Sequence, residues 1–155
     1  MSHWVPLALA CWLSVNARAE APTDTARCVL RLIHALPEAG PPDPRLADIH
    51  RLHLSKPPFS VWRSFRLLAD ETRELRPRQQ LEFSFPEGQK ASLLYTEHLT
   101  DPSGKHRVRG TLHVQGAHSG AGTGFSLDEG GLFMVAGQRL GKGILIYALS
   151  CRTED

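Results

Sequence analysis

The sequence predicts a mainly β fold (α+β): an antiparallel β-sandwich or rolled sheet of about eight strands, with one short helix packed on the sheet. Three observations support this prediction. The last third of the chain contains two apolar runs, 132–136 and 144–149, that are bounded by glycine-containing turns. Several earlier segments alternate apolar and polar residues, as half-buried strands do. One stretch near residue 50, flanked by prolines, has the periodicity of a helix.

The late apolar runs are the predicted centre of the core. A strand whose consecutive residues are all apolar is typically covered on both faces, whereas a half-exposed strand alternates. We therefore expect buried strands within residues 123–151, separated by turns at 128–131 and 137–143.

The earlier strands are predicted from alternation. In the first, residues 27–35, one face carries Cys28, Leu30, Leu32 and His34. A charged connection is expected over 70–76. The remaining predicted strand segments are 59–68, which starts with a turn, and then 81–85, 91–95 and 107–114.

The predicted helix begins at Asp43, a good N-cap, with Pro44 at its first helical position, and it ends before a pair of prolines. At 100° per residue its apolar stripe is centred near Leu46. His50 and His53 fall in the same stripe, so both imidazoles are expected to point toward the core. The helix would then cover one face of the sheet.

The first 19 residues predict a cleaved secretory signal, because residues 4–15 are apolar and Ala17-Arg18-Ala19 is a small-residue cleavage site. A loose tail, 20–26, and a single β-rich domain, 27–155, would follow. The apolar segment is shorter than the about 20 residues that a spanning helix needs, so no integral membrane segment is expected after cleavage. The predicted location is secreted or periplasmic, and both destinations stay open.

Two cysteines, Cys28 and Cys151, would remain near opposite ends of the mature chain. In an exported protein such a pair predicts a disulfide bond. The alternative is a pair of buried thiols without a bond.

Composition and motifs exclude several classes of function. Arg18 would leave with the signal, so 17 of the 18 basic residues face 16 acidic ones. That balance gives no electrostatic footprint for nucleic acid or an anionic membrane. No cofactor is predicted: the glycines of 137–143 have the wrong spacing for a phosphate loop, and those of 120–124 precede a strand instead of the required helix.

His50 and His53 are the best candidates for metal ligands, because positions i and i+3 of a helix place two imidazoles on one side. A metal ion would need a third ligand, for which His34 and Cys28 are the candidates. The alternative is a pair of hydrogen-bonded, half-buried histidines without a metal ion.

Arg107, Arg109 and His113 form a second candidate site, since alternation places them on one face of their strand. Such a row offers donors to an anionic group or to a partner protein. The alternative is that the row is simply the solvated face of a sheet.

Four segments together resemble a group of uncharacterised exported proteins of myxobacteria and related bacteria. They are Asp43-Pro44-Arg45-Leu46, Ser64-Phe65-Arg66-Leu67-Leu68, Phe85-Pro86-Glu87-Gly88, and the hairpin from Gly130-Gly131 to Ala148, with Val135-Ala136-Gly137 and Gly143-Ile144-Leu145-Ile146. The resemblance covers most of the mature chain and implies export and a β-rich domain. It supplies no activity and no catalytic residues. His50 and His53 depart from it, since apolar residues are expected there.

The failure of every catalytic motif favours an exported, non-enzymatic binding or adaptor module of the bacterial envelope. Such a module would use a sheet face or edge to bind another envelope protein or a glycan. No Gly-x-Ser-x-Gly elbow occurs, and an oxidised Cys28 would be a poor nucleophile. The alternative is a small secreted hydrolase or metal-dependent enzyme. Its support is the two helix histidines and the acidic residues near turns, Asp70, Glu71, Glu74, Asp128 and Glu129.

Overall fold

Eight antiparallel strands form two four-stranded sheets in the structure, a computed structural model that describes residues 24–115 and 122–153. Sheet A has the strand order β2-β1-β8-β7, and sheet B has the order β3-β4-β5-β6. The predicted β-sandwich is confirmed. The predicted signal and most of the glycine-rich loop near residue 120 lie outside the described residues. The strands are β1 (Ala26–Leu36), β2 (Ser64–Leu75), β3 (Gln79–Ser84), β4 (Lys90–Thr100), β5 (His106–Val114), β6 (Thr123–Asp128), β7 (Phe133–Leu140) and β8 (Gly143–Thr153).

Most strand pairings are local in the sequence. Within the described strands, every pairing inside a sheet joins consecutive strands except that of β1 with β8. This exceptional pairing places Cys28 directly opposite Cys151, with their Cα atoms 4.1 Å apart. The predicted disulfide is present between them, and both residues are buried between the sheets. It therefore links the first strand to the last.

Apolar layers cover both faces of sheet A. The layer between the two sheets includes Leu30, Tyr95 and Tyr147, which are all fully buried. The layer on the outer face includes Ile33 and Ile146. Strand β8 contributes to both layers, so its apolar run has the two-sided burial that the sequence predicts.

A helical segment, residues 44–54, covers the outer layer of sheet A. It consists of a 3-10 turn, an α turn and a π turn in succession. Leu46, Ile49 and Leu54 are buried in the outer layer, which confirms that the predicted helix packs on the sheet. Among the described residues, no helix has the length and apolarity that crossing a bilayer requires.

The predicted orientation of the helix histidines is wrong. His50 is exposed, His53 is only half-buried, and Leu52 is 50% exposed. The prediction assumed 100° per residue throughout, whereas a 3-10 turn rotates more per residue and a π turn rotates less. Because the rotation per residue changes along the segment, the last buried position is Leu54 and not a histidine.

The predicted charged connection at 70–76 is wrong as well. Residues 70–75 continue β2 and pair with residues 26–31 of β1. Strand β2 is an edge of sheet A, and its outward side chains reach solvent, so charged residues are tolerated there. Strand β1 itself begins at Ala26, the last residue of the predicted tail.

The predicted turn at 137–143 is shorter in the structure. Strand β7 continues to Leu140, past a β-bulge between Ala136 and Arg139. The turn itself is confined to Gly141 and Lys142. Periodicity could not show this, because a bulge interrupts the alternation by which a strand is recognised.

Asp43 joins the helical segment to sheet A. Its Oδ1 accepts from the Arg45 backbone N–H at 3.1 Å, as the predicted N-cap should. Its Oδ2 accepts from the Leu67 backbone N–H of β2 at 3.0 Å and from the Arg45 guanidinium at 2.7 Å. The Arg45 bond, followed by the Leu67 bond, holds the pKa of the Asp43 carboxyl well below its usual range.

We expect Asp43→Asn to remove part of the acid sensitivity of the fold. A depressed pKa means that the ionised carboxyl stabilises the fold fully above its ordinary pKa of about 3.9, and that this contribution declines as the pH falls further. Asp43→Asn should therefore lower the urea midpoint at pH 6, and the difference from the wild type should shrink at pH 2.5. Glu82→Gln, an exposed change on β3, is the control. Parallel pH profiles for the wild type and Asp43→Asn would contradict the prediction.

Candidate functional site

A cleft of about 360 Å³ lies on the outer face of sheet A. We call it the arginine cleft. Its walls are the start of β1 and the end of β8, the helical segment, and the β6–β7 turn at Gly130-Gly131-Leu132. Its volume is within the range of small-molecule sites, about 300–1,000 Å³.

Strand alternation brings three arginines to this cleft. Cys28 and Leu30 point into the layer between the sheets, so Arg27 and Arg31 point to the outer face of β1. The register of β1 and β8 then places Arg152 directly opposite Arg27. Like charges on directly opposed positions destabilise a sheet, and Glu74, which lies opposite Arg27 on its other side, pairs with Arg27 and not with Arg152.

Arginines outnumber carboxylates among the described residues that line the arginine cleft. Arg31 Nη1 lies 3.0 Å from Asp48 Oδ2, and Arg27 Nη2 lies 3.0 Å from Glu74 Oε1 on the neighbouring strand. Within the described part of the chain, Arg152 makes no ion pair. Among the described residues that line the cleft, Asp48 is the only carboxylate, and three of the others are arginines.

The ionisation of Asp48 depends on its partner. Burial is the largest single effect and disfavours the charged carboxyl, but the hydrogen bond and the charge of Arg31, together with backbone hydrogen bonds, outweigh it, so the pKa of Asp48 is lowered. The carboxylate is thus charged at neutral pH and offsets Arg31. A positive surplus remains at the other end of the cleft, beside Arg152.

Aliphatic side chains complete the lining. Val29, Ile49, Leu52 and Leu132 lie among the arginines. The exposure of Leu52 is explained by its place in this wall, since it faces the cleft and not the core. The arrangement fits a ligand that has an anionic group beside an apolar part, because guanidinium groups bind carboxylate, phosphate and sulfate oxygens in pairs.

The predicted metal-binding residues do not come together. His53 lines the arginine cleft, whereas His50 packs edge-on against Phe65 with ring centroids 5.8 Å apart. Of the proposed third ligands, His34 Nε2 lies 3.0 Å from the Leu140 carbonyl oxygen, and Cys28 is bonded to Cys151. In residues 24–115 and 122–153, no group of three or more His, Cys, Asp or Glu side chains is arranged to hold a metal ion.

The predicted row of Arg107, Arg109 and His113 on β5 lies on the outer face of sheet B. Its two arginines form ion pairs with carboxylates of the same sheet. Arg107 Nε lies 2.7 Å from Asp128 Oδ1, and Arg109 Nη1 lies 3.1 Å from Glu97 Oε1. The hydrogen bond from Lys105, followed by that from Arg107, lowers the pKa of Asp128. Arg107 and Arg109 thus each have a carboxylate partner, whereas Arg152 in the arginine cleft has none among the described residues.

His113 is separate from those two arginines. Its ring lies so close to Gly122 that a Cβ at that position would overlap with it. It lines a shallow depression of about 250 Å³ together with Glu82 and Lys90. The three predicted residues therefore do not form one anion site.

The acidic residues that motivated a hydrolase are mostly paired with cations. Glu74 pairs with Arg27, and Asp128 pairs with Lys105 and Arg107. Glu71 lies 2.8 Å from an Arg73 nitrogen. These ion pairs give no support to a pair of catalytic carboxylates.

The chain matches no protein-family model, no curated protein and no solved structure. The resemblance to exported bacterial proteins, drawn from Asp43-Pro44-Arg45-Leu46 and the other three segments, therefore stays a prediction.

The sequence reveals only part of the arginine cleft. Sequence alternation puts Arg27 and Arg31 on one face of β1, but it does not reveal the partner strand that adds Arg152.

Proposed function

We propose that this protein is an exported, non-enzymatic binding module that holds an anionic group of an envelope component in the arginine cleft. The single observation that carries the proposal is the cross-strand pair of Arg27 and Arg152 in a cleft with a surplus of guanidinium groups. An anion between them would accept from both guanidinium groups and offset the repulsion of two like charges at opposed positions. Natural sequences keep such local conflicts mainly where function requires them.

Export is supported by two independent features. The apolar leader with its small-residue cleavage site is typical of a secretory signal. The disulfide between Cys28 and Cys151 is of the kind that persists in oxidising compartments, which include the periplasm and the extracellular medium.

The chemistry of the lining defines the ligand class. Three guanidinium groups favour a carboxylate, phosphate or sulfate, and the aliphatic wall with Leu52 and Leu132 favours an apolar part next to it. An acidic envelope glycan and an acidic segment of an envelope protein both offer the anionic group. The cleft is small, so it would hold a terminal group or one residue of such a partner.

Three probes test the proposed chemistry. We expect n-octyl phosphate to bind more tightly than inorganic phosphate, because it also contacts the aliphatic wall. We expect n-octyl glucoside, which has no charge, to bind more weakly than n-octyl phosphate by about tenfold or more, since hydrogen bonds to charged groups contribute about 1.5–3 kcal/mol. An NMR titration that follows the amides of Val29, Ser150 and Arg152 measures all three affinities. Equal affinity for the two octyl compounds, or shifts confined to sheet B, would contradict the proposal.

A further inference from the structure

A second polar cluster lies at the rim of the sandwich, apart from the arginine cleft. His98 Nε2 and His106 Nδ1 are 2.9 Å apart, and the two rings stack with centroids 5.0 Å apart. Thr100 Oγ1 is 3.2 Å from the same His106 nitrogen. On the other side of the pair, Asp24 Oδ1 is 3.5 Å from His98 Nδ1. The proposed anion binding uses none of these side chains.

The strands hold this cluster in place. A β-bulge between Tyr95 and Glu97 reverses the alternation of β4, so Glu97 points outward to Arg109 and His98 points inward at the rim. The His98 side chain is consequently only 12% exposed. Tyr95 donates its hydroxyl to the Asp24 carbonyl at 3.1 Å, and burial together with the Asp24 charge raises the pKa of Tyr95 to about 12. Tyr95 therefore remains a donor that fixes Asp24 beside His98.

The Asp24 contact indicates which nitrogen of His98 carries a proton. A carboxylate only accepts hydrogen bonds, so this contact favours a proton on His98 Nδ1. His98 Nε2 then carries a lone pair and faces His106 Nδ1 at hydrogen-bond distance. A proton shared by these two nitrogens is one that a metal ion can replace.

We propose that His98 Nε2 and His106 Nδ1 are the two protein ligands of a divalent transition-metal ion, with water completing its coordination. Binding releases the shared proton, so the affinity falls as the pH is lowered. Asp24 orients His98 from behind the ring, as carboxylates commonly do for metal-bound histidines. The site differs from the His50 and His53 pair that the sequence suggested.

General metal affinities indicate which ion binds best. The affinity of a nitrogen site for divalent first-row ions rises along the series to Cu²⁺ and falls again at Zn²⁺, and imidazole suits both Cu²⁺ and Ni²⁺. We therefore expect Cu²⁺ to bind most tightly.

Calorimetric titration with CuCl₂, NiCl₂ and ZnCl₂ tests the proposal. The protein used is the chain from Glu20 onward, which keeps every described residue and lacks His3, whose place near the amino terminus would add a competing site. We expect one equivalent of Cu²⁺ to bind, and His98→Gln and His106→Gln each to weaken binding about 100-fold. Asp24→Asn should weaken it about tenfold, at the low end of the effect of losing such a partner.

The matched control is the double variant His50→Gln/His53→Gln, which should bind Cu²⁺ within about twofold of the wild type. Wild-type affinity in a folded His98→Gln/His106→Gln protein, or loss of binding in the control, would overturn the proposal. If the rim variants fail to fold, NMR of the wild type decides the question. Substoichiometric Cu²⁺ must then broaden the ring signals of His98 and His106 first, and broadening centred elsewhere, or none, would overturn the site.

Discussion

Replacing Cys28 and Cys151 together with alanine should lower the free energy of unfolding by about 4 to 5 kcal/mol. The two residues are separated by 123 positions in the sequence, so the disulfide closes a very long loop in the unfolded chain. It also braces the pairing of β1 with β8, which among the described strands is the sheet pairing with the greatest sequence separation. For a domain of this size, we expect the melting temperature to fall by about 10–20 °C.

Thermal unfolding with and without a reductant provides the control for the disulfide prediction. Dithiothreitol should destabilise the wild type by a similar amount and should leave the Cys28→Ala/Cys151→Ala variant unchanged. Both cysteines lie in the layer between the sheets, so the alanine variant also loses a little packing. A variant whose melting temperature is within about 2 °C of the wild type would show that burial of β1 against β8 alone maintains their pairing.

Changing Arg152 to glutamine should weaken the binding of n-octyl phosphate about tenfold, and the double change Arg31→Gln/Arg152→Gln should weaken it about 100-fold. Each guanidinium that donates to a phosphate in this half-exposed cleft is expected to contribute near the lower end of about 1.5–3 kcal/mol. The change at Arg152 is easier to interpret than the change at Arg31. Its loss leaves no carboxylate of the described residues unpaired, whereas the loss of Arg31 also releases Asp48.

Two variants check that the loss of n-octyl phosphate affinity comes from the charge of the arginine cleft. Asp48→Asn removes the single carboxylate among the described lining residues, so it should tighten n-octyl phosphate binding about threefold, within the range of an exposed charge interaction. Arg109→Gln removes a guanidinium on the outer face of sheet B and should leave the affinity unchanged. NMR or calorimetric titration measures all of these affinities. Equal losses in Arg109→Gln and Arg152→Gln would mean that the probe responds to net charge and not to the arginine cleft.

Local sequence signals were sufficient for much of the fold. Asp43 followed by Pro44 marks the start of the helical segment because capping involves only neighbouring residues. The run 144–149 indicates a strand covered on both faces, and β8 is such a strand. Where rotation or alternation changes within an element, the same reasoning fails, as it did for the orientation of His50.

The candidate sites required information that alternation does not contain. Arg27 and Arg31 share a face of β1 by alternation, but Arg152 joins them only through the register of β1 with β8. The disulfide could have supplied that register: a bond from Cys28 to Cys151 between adjacent strands places their neighbours Arg27 and Arg152 opposite each other. His98 was hidden by the bulge after Tyr95, which moves it to the opposite face from the one that alternation predicts.

The amino-acid sequence alone therefore predicted the β-rich class and the capped helical segment, since both depend on residue type and short-range period, and it predicted the disulfide because only two cysteines follow the predicted signal. Only the tertiary structure decided which polar side chains lie next to each other. It placed Arg152 in the arginine cleft and His98 against His106, because cross-strand register and a single inserted residue bring together side chains whose separation along the chain carries no such signal.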